Sequence, residues 1–156
     1  LMNIKIISIE KRRPSWAIEA FKEYEKRFNN SVLVEWQGYK PIRKAGNLNK
    51  KEVLRKEGVK ILSGIKKRGI IISLDRKGEV WDTEKLKKEM DKWQMKSKNL
   101  FFLIGGPNGL SKECIEKSDV SWSLSALTFP HSFVPLLVLE QIYRVWSINQ
   151  KHPYHK

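Results

Sequence analysis

The chain has 156 residues, and its 31 Lys and Arg against 17 Asp and Glu give a formal net charge of +14. This excess favours a polyanionic partner such as nucleic acid, although a basic surface with no specific partner is the alternative. No apolar run approaches the roughly 20 residues of a membrane helix, and the single cysteine, Cys114, excludes an internal disulfide and a closed cysteine-rich zinc site. We therefore expect neither a membrane nor a metal among the partners.

Apolar segments rich in β-branched residues alternate with helical segments along the chain. In chain order the predicted elements are a strand at 3–9, a helix from 14 to about 28, a strand at 31–36, a basic loop at 37–47, a helix at 48–65, a strand at 69–74, a loop at 75–83, a helix at 84–96, a strand at 99–105, a short helix at 111–117, a strand at 120–125 and a long helix at 131–149. This alternation predicts an α/β fold with a mainly parallel sheet of five or six strands flanked by helices.

We expect residues 1–156 to form a single domain, and Leu1 before Met2 indicates a cloning remnant. The first residues have an apolar run that is too short for a signal peptide and is typical of a strand. A cytoplasmic location is the simplest expectation.

The segment "LIGGPNGLS", residues 103–111, ends a buried strand in a loop that has few side chains. A P-loop needs a lysine after its last glycine, and its absence argues against an NTPase. The glycine spacing also differs from the dinucleotide fingerprint and falls late in the chain. A tight turn that uses glycine for positive φ is the plainer alternative.

The neighbouring segment "SWSLSALTFPHSF", residues 121–133, leads from a strand into small and apolar residues. Ligands of parallel sheets bind beyond the carboxyl ends of the strands, so the loops after Leu74, Ile104 and Leu124 are the candidates. The last of these loops can wrap a flat ring with its backbone groups, but it offers no cation for a phosphate. The pattern favours a nucleoside-type cofactor without a triphosphate.

Four segments in this order, "LIGGPNGLS", "SWSLSALTFPH", "EQIYRVWSI" and the terminal "HPYHK", closely resemble the bacterial ribosomal RNA large-subunit methyltransferase H family, and "WDT" at 81–83 extends the likeness. The family consists of small single-domain enzymes of the SPOUT class. The resemblance implies a C-terminal trefoil knot, a homodimer and S-adenosylmethionine as methyl donor. It also implies methylation of N3 of a pseudouridine in 23S ribosomal RNA, on the assembled ribosome.

The resemblance assigns a cofactor pocket to the three candidate loops. Its residues are Leu74, Gly105, Leu124, Ser125, Ala126, Leu127, Thr128 and Phe129. Taken singly, the leucines would be ordinary core residues. Their place at strand ends and the family match together favour the binding role.

Methylation at N3 requires an imide nitrogen to lose its proton, so the site needs a base near N3 or donors that stabilise charge on the flanking carbonyls. The catalytic candidates are His131, Arg144, Tyr154 and His155, and the RNA-binding candidates are Arg144, His152, Tyr154 and His155. The plainer alternatives are a helix-terminal histidine, a surface ion pair for the arginine and a frayed tail. The family favours a tail that completes the site across the dimer.

Basic segments supply the candidate phosphate contacts, which position RNA without reading its sequence. They lie at 11–13, 40–44, 50–60 and 66–68, and Trp81, in a predicted loop, is a candidate stacking platform for RNA. Two positions depart from the family pattern: Glu10 stands where a glycine is usual, and Asn108 stands where a glutamate is frequent. The alternative functions are a SPOUT enzyme acting on transfer RNA and a non-catalytic RNA-binding or ribosome-assembly factor.

Overall fold

The computed structural model describes residues 1–43 and 46–156. Lys44, one of the candidate phosphate contacts, and Ala45 in the same predicted basic loop lie outside the described residues. The strands are β1 (Met2–Ile9), β2 (Val32–Tyr39), β3 (Ile70–Val80), β4 (Asn99–Ile104) and β5 (Val120–Ser123). The helices are α1 (Ser15–Glu25), α2 (Lys50–Ser63), α3 (Thr83–Lys96), α4 (Lys112–Lys117) and α5 (Val134–Asn149), with a 3-10 turn, His131–Phe133, directly before α5.

The five strands form one sheet in the order β2-β1-β4-β3-β5, and every neighbouring pair is parallel. The predicted α/β class with a parallel sheet is therefore confirmed, whereas the trefoil knot stays a prediction. The most apolar segments occupy the middle of the sheet, as expected for strands covered on both faces. Thus β4, with the sequence Asn-Leu-Phe-Phe-Leu-Ile, is buried from Leu100 onward.

Helices cover both faces of the sheet, and alternate residues of the central strands point to opposite layers. Ile6 and Phe102 lie in the core beneath α1, α3 and α5, whereas Ile7 and Leu103 lie in the core beneath α2 and α4. These four side chains are completely buried. The consecutive apolar runs of the sequence are thus explained by a sheet that has no solvent-exposed face at its centre.

Strand β2 continues to Tyr39, beyond the predicted end at residue 36. Its ladder with β1 runs without interruption to the pair Ile9 and Tyr39. Gly38 makes room for Glu10, because a Cβ at Gly38 would lie 1.8 Å from Glu10 Oε1. Glu10 in turn accepts a hydrogen bond from Arg13 Nη2 at 2.6 Å. The departure at position 10 is therefore accommodated by a missing side chain opposite it and by a cation beside it.

Strand β3 also extends past its predicted end, through a segment that the sequence assigned to a loop. The pairing with β5 shifts register between Leu74 and Glu79, both of which lie opposite Trp122. Gly78 allows this close passage, because a Cβ there would lie 2.8 Å from the backbone nitrogen of Trp122. The predicted helix at 131–149 begins three residues later than expected, because a 3-10 turn that contains His131 comes first.

Candidate active site

Three adjacent strands, β4, β3 and β5, bring the predicted cofactor residues together. In the sheet, Leu74 of β3 is paired with Ile104 of β4 on one side and with Trp122 of β5 on the other. Gly105 directly follows Ile104, and the loop at 124–129 starts two residues after Trp122. The residues that the sequence proposed for one pocket therefore emerge side by side at one edge of the sheet.

The glycine loop needs Gly105 for its own folding. A Cβ at Gly105 would lie 2.2 Å from the carbonyl oxygen of Gly109 and 2.8 Å from the nitrogen of Leu110. Gly109 has φ +84°, and its N–H donates to the Gly106 carbonyl at 2.9 Å. The loop thus closes on itself, and Gly109 supplies the positive φ that the tight-turn alternative called for, whereas no sequence signal indicated the close packing of Gly105 on Gly109. Asn108 is exposed at the tip of the loop.

The loop at 124–129 is held by a few polar contacts and leaves its middle open. The Ser125 hydroxyl accepts a hydrogen bond from the Leu127 N–H at 3.0 Å, and Arg76 Nη2 donates to the Thr128 hydroxyl at 2.6 Å. The Leu127 side chain is 73% exposed, which is unusual for a leucine in an ordered loop. The loop therefore presents an apolar side chain at the carboxyl edge.

A cavity of about 170 Å³ lies against this loop. Its lining residues are Trp81, Asp82, Leu86, Trp122, Leu124, Phe129, Leu137 and Gln141. Leu124 and Phe129 belong to the predicted cofactor set. The other lining residues were not predicted as ligand contacts, and the only sequence signal for them was the "WDT" segment.

Two indole N–H groups beside this cavity have no hydrogen-bond partner. The Trp81 and Trp122 rings stack with centroids 5.6 Å apart, and the Nε1 atoms of both are buried and unpaired among the described residues. An unpaired buried donor costs about 1–3 kcal/mol, so a ligand that supplies acceptors would be favoured here. Aromatic and aliphatic walls with unused donors fit the ring of a nucleoside. Trp81 itself is half-buried against the core and stacked on Trp122, which leaves only part of its ring for the RNA stacking that its predicted loop position suggested.

His131 links the loop before α5 to the end of β1. Its Nε2 atom bonds to the carbonyl oxygen of Ile9. A carbonyl can only accept, so Nε2 carries the proton and Nδ1 is the ring acceptor. Next to it, the rings of Trp16 and Phe133 lie 5.0 Å apart, and each side chain is 44% exposed.

The terminal segment packs against α1 and α5, which contradicts the frayed-tail alternative. The Tyr154 hydroxyl lies 3.1 Å from Glu140 Oε1 and 3.1 Å from the Tyr24 hydroxyl. Since the carboxylate can only accept, Tyr154 donates to Glu140 and Tyr24 donates to Tyr154. Burial, the Tyr24 hydrogen bond and the Glu140 charge raise the pKa of Tyr154 well above its usual range. This phenol is therefore a proton donor at neutral pH.

Arg144 connects the tail to α5. Its Nε and Nη2 atoms donate to Glu140 Oε1 at 3.0 and 2.5 Å, and its Nη1 atom lies 3.1 Å from His155 Nδ1. The guanidinium carbon also stands 4.9 Å from the centre of the Tyr154 ring. Arg144, Tyr154 and His155 thus form one cluster, whereas the His152 side chain is exposed and has no hydrogen bond among the described residues.

The tail cluster and the cofactor loops are separate within one chain. No hydrogen bond or ring contact in the described part of the chain joins residues 152–155 to residues 124–129. Arg144 lies ten residues after Val134, the first residue of α5, which corresponds to about 15 Å along the helix. Among the described residues, an indirect path joins the tail cluster to the cavity: Glu140 Oε2 accepts a hydrogen bond from Gln141 Nε2 at 2.8 Å, and Gln141 lines the cavity.

The basic segments divide between the two edges of the sheet. Residues 11–13 and 40–43 follow β1 and β2 and lie at the carboxyl edge, whereas 66–68 precede β3 and lie at the opposite edge. Arg13 is less available for a phosphate contact, because its guanidinium pairs with Glu10 and stands 3.6 Å from the centre of the Trp36 ring. An RNA bound at the carboxyl edge would lie near the first two segments and near the exposed candidate residues of α2.

Comparison with solved structures finds a similar fold in two other proteins. It is similar to a probable methylase family protein from Haemophilus influenzae Rd KW20, with a TM-score of 0.58 and 12% identity over 99% of this chain and 71% of that one. It is also similar to a proposed RNA methyltransferase from Bacillus anthracis, with a TM-score of 0.50 and 15% identity over 99% and 98% of the two chains. At identities this low, the likeness shows a common fold and nothing about function.

The sequence model of the family described as "Predicted SPOUT methyltransferase" matches residues 2–155, and the chain belongs to that family. Within the described ranges, none of the helices is long and apolar enough to cross a membrane. The same residues contain no group of three or more His, Cys, Asp and Glu side chains that could hold a metal ion.

Proposed function

We propose that the protein transfers a methyl group from S-adenosylmethionine to N3 of a pseudouridine in 23S ribosomal RNA, on assembled ribosomes in the cytoplasm. The observation that carries this proposal is the alignment of Leu74 with Ile104 and Trp122, because it brings Leu74 of β3 beside the loops that follow β4 and β5 in a SPOUT chain. The likeness of "SWSLSALTFPH" and "HPYHK" to the ribosomal RNA large-subunit methyltransferase H family supports the choice of substrate.

The cofactor residues of the proposal are those of the three loops. Leu74, Gly105 and residues 124–129 would surround the adenosine, and the unpaired N–H groups of Trp81 and Trp122 could bond to its acceptors. When bound, S-adenosylmethionine supplies an electrophilic methyl group whose sulfur keeps the bonding electrons as the carbon moves to N3. The loops orient this group and keep water away from it.

The substrate residues of the proposal are those of the tail cluster. As N3 gives up its proton, negative charge spreads onto the two carbonyl oxygens beside it, and N–H and O–H donors stabilise this charge. Arg144 and His155 can donate to those oxygens or to a phosphate. The Tyr154 phenol donates its one proton to Glu140 and so holds the tail against α5, and because its pKa is raised it does not serve as the base. His131, His152 and the exposed lysines would contact the RNA or complete the site.

A homodimer would join the two halves of the site. Trp16, Phe133 and Leu127 expose apolar surface at the carboxyl edge, which favours burial against another subunit. In a symmetric pair, the tail of one subunit can approach the cofactor loops of the other. This arrangement explains why Arg144, Tyr154 and His155 lie apart from residues 124–129 in one chain.

Mixing two inactive variants tests the composite site. A Gly105→Trp variant lacks the cofactor loop, and a His155→Ala variant lacks a tail donor, so each homodimer should be inactive. After subunit exchange, heterodimers make up about half of the population and have one intact site each, so about one quarter of the wild-type activity should return. No recovery after verified exchange would contradict a site shared between subunits.

Two further measurements test the class of the protein. Calorimetry with S-adenosylmethionine should show binding, whereas no heat at millimolar cofactor would favour the non-catalytic RNA-binding or assembly factor. Labelled methyl groups should enter 23S ribosomal RNA in intact ribosomes and not transfer RNA. Labelling of transfer RNA alone would favour the other SPOUT activity.

A further inference from the structure

Glu140 lies at the centre of the tail cluster and was not a candidate on sequence. Its side chain is 15% exposed, and it belongs to an i,i+4 pair with Arg144 on α5. Oxygen Oε1 accepts from Arg144 and from the Tyr154 hydroxyl, while Oε2 accepts from Gln141. A carboxylate with donors on both oxygens is held in one orientation, and it fixes the groups that donate to it.

Arg144 is held by two of its nitrogens, and this leaves the third for the tail. Nε and Nη2 are turned to Glu140, and Nη1 reaches His155 Nδ1 at 3.1 Å. A guanidinium has donors and no acceptor, so His155 Nδ1 must be the acceptor and cannot carry the ring proton. The neutral imidazole of His155 therefore has its proton on Nε2, which is the nitrogen that points away from Arg144.

We infer that Glu140 is a positioning residue which, through Arg144, keeps His155 as an Nε2–H donor toward the substrate. The inference rests on the proposed function, in which this tail approaches the target pseudouridine. His155 then stabilises the charge on a carbonyl oxygen beside N3, and the N3 proton passes to water and not to His155. His155 has no lone pair free for that proton, because Nε2 carries the ring proton and Nδ1 already accepts from Arg144 Nη1.

A second Glu–Arg pair in the chain provides a matched control. Glu23 in the last turn of α1 and Arg27 just past its end have the same i,i+4 spacing, with Arg27 Nη2 at 3.2 Å from Glu23 Oε1. Glu23 bonds to Lys26 and Arg27, and among the described residues it makes no hydrogen bond with His152 or His155. Glu140→Gln and Glu23→Gln therefore each remove one negative charge from an i,i+4 pair with an arginine, but only the first acts on Arg144.

The test is imidazole ¹⁵N spectroscopy of the full-length protein at a pH where histidines are neutral, with His152 as the internal reference. His155 is expected almost wholly as the Nε2–H tautomer, whereas His152, which has no such partner, should show the ordinary mixture. In Glu140→Gln the His155 spectrum should move toward that of His152, and in Glu23→Gln it should stay as in the wild type. Wild-type His155 with its proton on Nδ1, or an unchanged spectrum in Glu140→Gln, would overturn the inference.

Kinetics separate this inference from the proposed function. Glu140→Gln should lower kcat for ribosome methylation about 10²-fold while the affinity for S-adenosylmethionine is unchanged, and Glu23→Gln should leave both as in the wild type. If Glu140→Gln does not fold, Arg144→Lys, which keeps the charge but lacks the fixed fork, should release the His155 tautomer. The expected tautomer in a protein that methylates no ribosomal RNA would refute the proposed function alone. Full kcat in a folded Glu140→Gln variant would overturn the positioning role.

Discussion

Replacing Gly105 by alanine gives a sharp test of the glycine loop. The added Cβ would lie 2.2 Å from the Gly109 oxygen, 2.3 Å from the Gly109 carbonyl carbon and 2.8 Å from the Leu110 nitrogen. All three atoms belong to the backbone, so no side chain can swing aside and the loop itself must move. We expect a loss of about 1–3 kcal/mol in the free energy of unfolding, as is typical of overpacking.

The adjacent glycine is the matched control for this change. The three atoms nearest to a Cβ at Gly106 would be Ile9 Cγ2 at 3.2 Å and Ile9 Cβ and Glu57 Oε1 at 3.7 Å, and all three belong to side chains. Gly106→Ala should therefore change stability by less than about 1 kcal/mol. Urea unfolding measures both values, and calorimetry measures the affinity for S-adenosylmethionine.

The two variants should differ most in cofactor binding. Gly105→Ala is expected to weaken S-adenosylmethionine at least about tenfold, equivalent to 1.4 kcal/mol, because the displaced loop begins at the predicted pocket. Gly106→Ala should bind nearly as the wild type does. Wild-type affinity in Gly105→Ala, or an equal loss in both variants, would refute the link between this loop and the cofactor.

Four further predictions follow from other contacts. Trp122→Phe removes an unpaired buried N–H and part of a core ring, so stability should fall through the cavity left behind and cofactor affinity should fall as well; unchanged affinity in the folded variant would show that this N–H does not bind the cofactor. Tyr154→Phe removes the hydrogen bonds with Tyr24 and Glu140 and should cost about 1–2 kcal/mol in urea unfolding, and no change would mean that the tail is not docked in solution. Burial raises the pKa of the Cys114 thiol, so iodoacetamide at pH 8 should react with it far more slowly than with the urea-unfolded chain, and equal rates would contradict its burial. Ribosome binding should weaken steeply as salt is raised, and a flat salt dependence would contradict the electrostatic contribution of the +14 charge.

The fold was largely predictable because its signals are local. Short apolar runs such as Leu100–Ile104 form strands buried on both faces, and the helices between them make the sheet parallel. The extension of β3 past Leu74 was not predictable, because Asp-Arg-Lys-Gly has the composition of a loop. Only the approach of Gly78 to the backbone of β5 shows that the segment pairs again after a register shift.

The candidate site was predictable in part for the same reason. The meeting of Leu74 with the loops after Ile104 and Ser123 follows from strand topology, although β3 continues past Leu74 and no loop begins there, and the family resemblance supplied the residues. Glu140 was missed, because an i,i+4 Glu–Arg pair on a helix has the same sequence pattern whether it is a surface pair, like Glu23 with Arg27, or a hydrogen-bonded centre. Tyr154, which donates to Glu140, and His155, which bonds to Arg144, come from a tail whose folded position no local pattern specifies.

The central claim is tested most directly by methyl transfer to ribosomes that differ in one base. Two preparations are needed, one with the target pseudouridine and one with unmodified uridine at the same place, together with labelled S-adenosylmethionine and the purified protein. If the protein has the proposed activity, the label enters the pseudouridine-containing 23S ribosomal RNA, and mass spectrometry finds the methyl group on N3. Equal labelling of the uridine ribosomes, or cofactor binding with no transfer to either preparation, would contradict it.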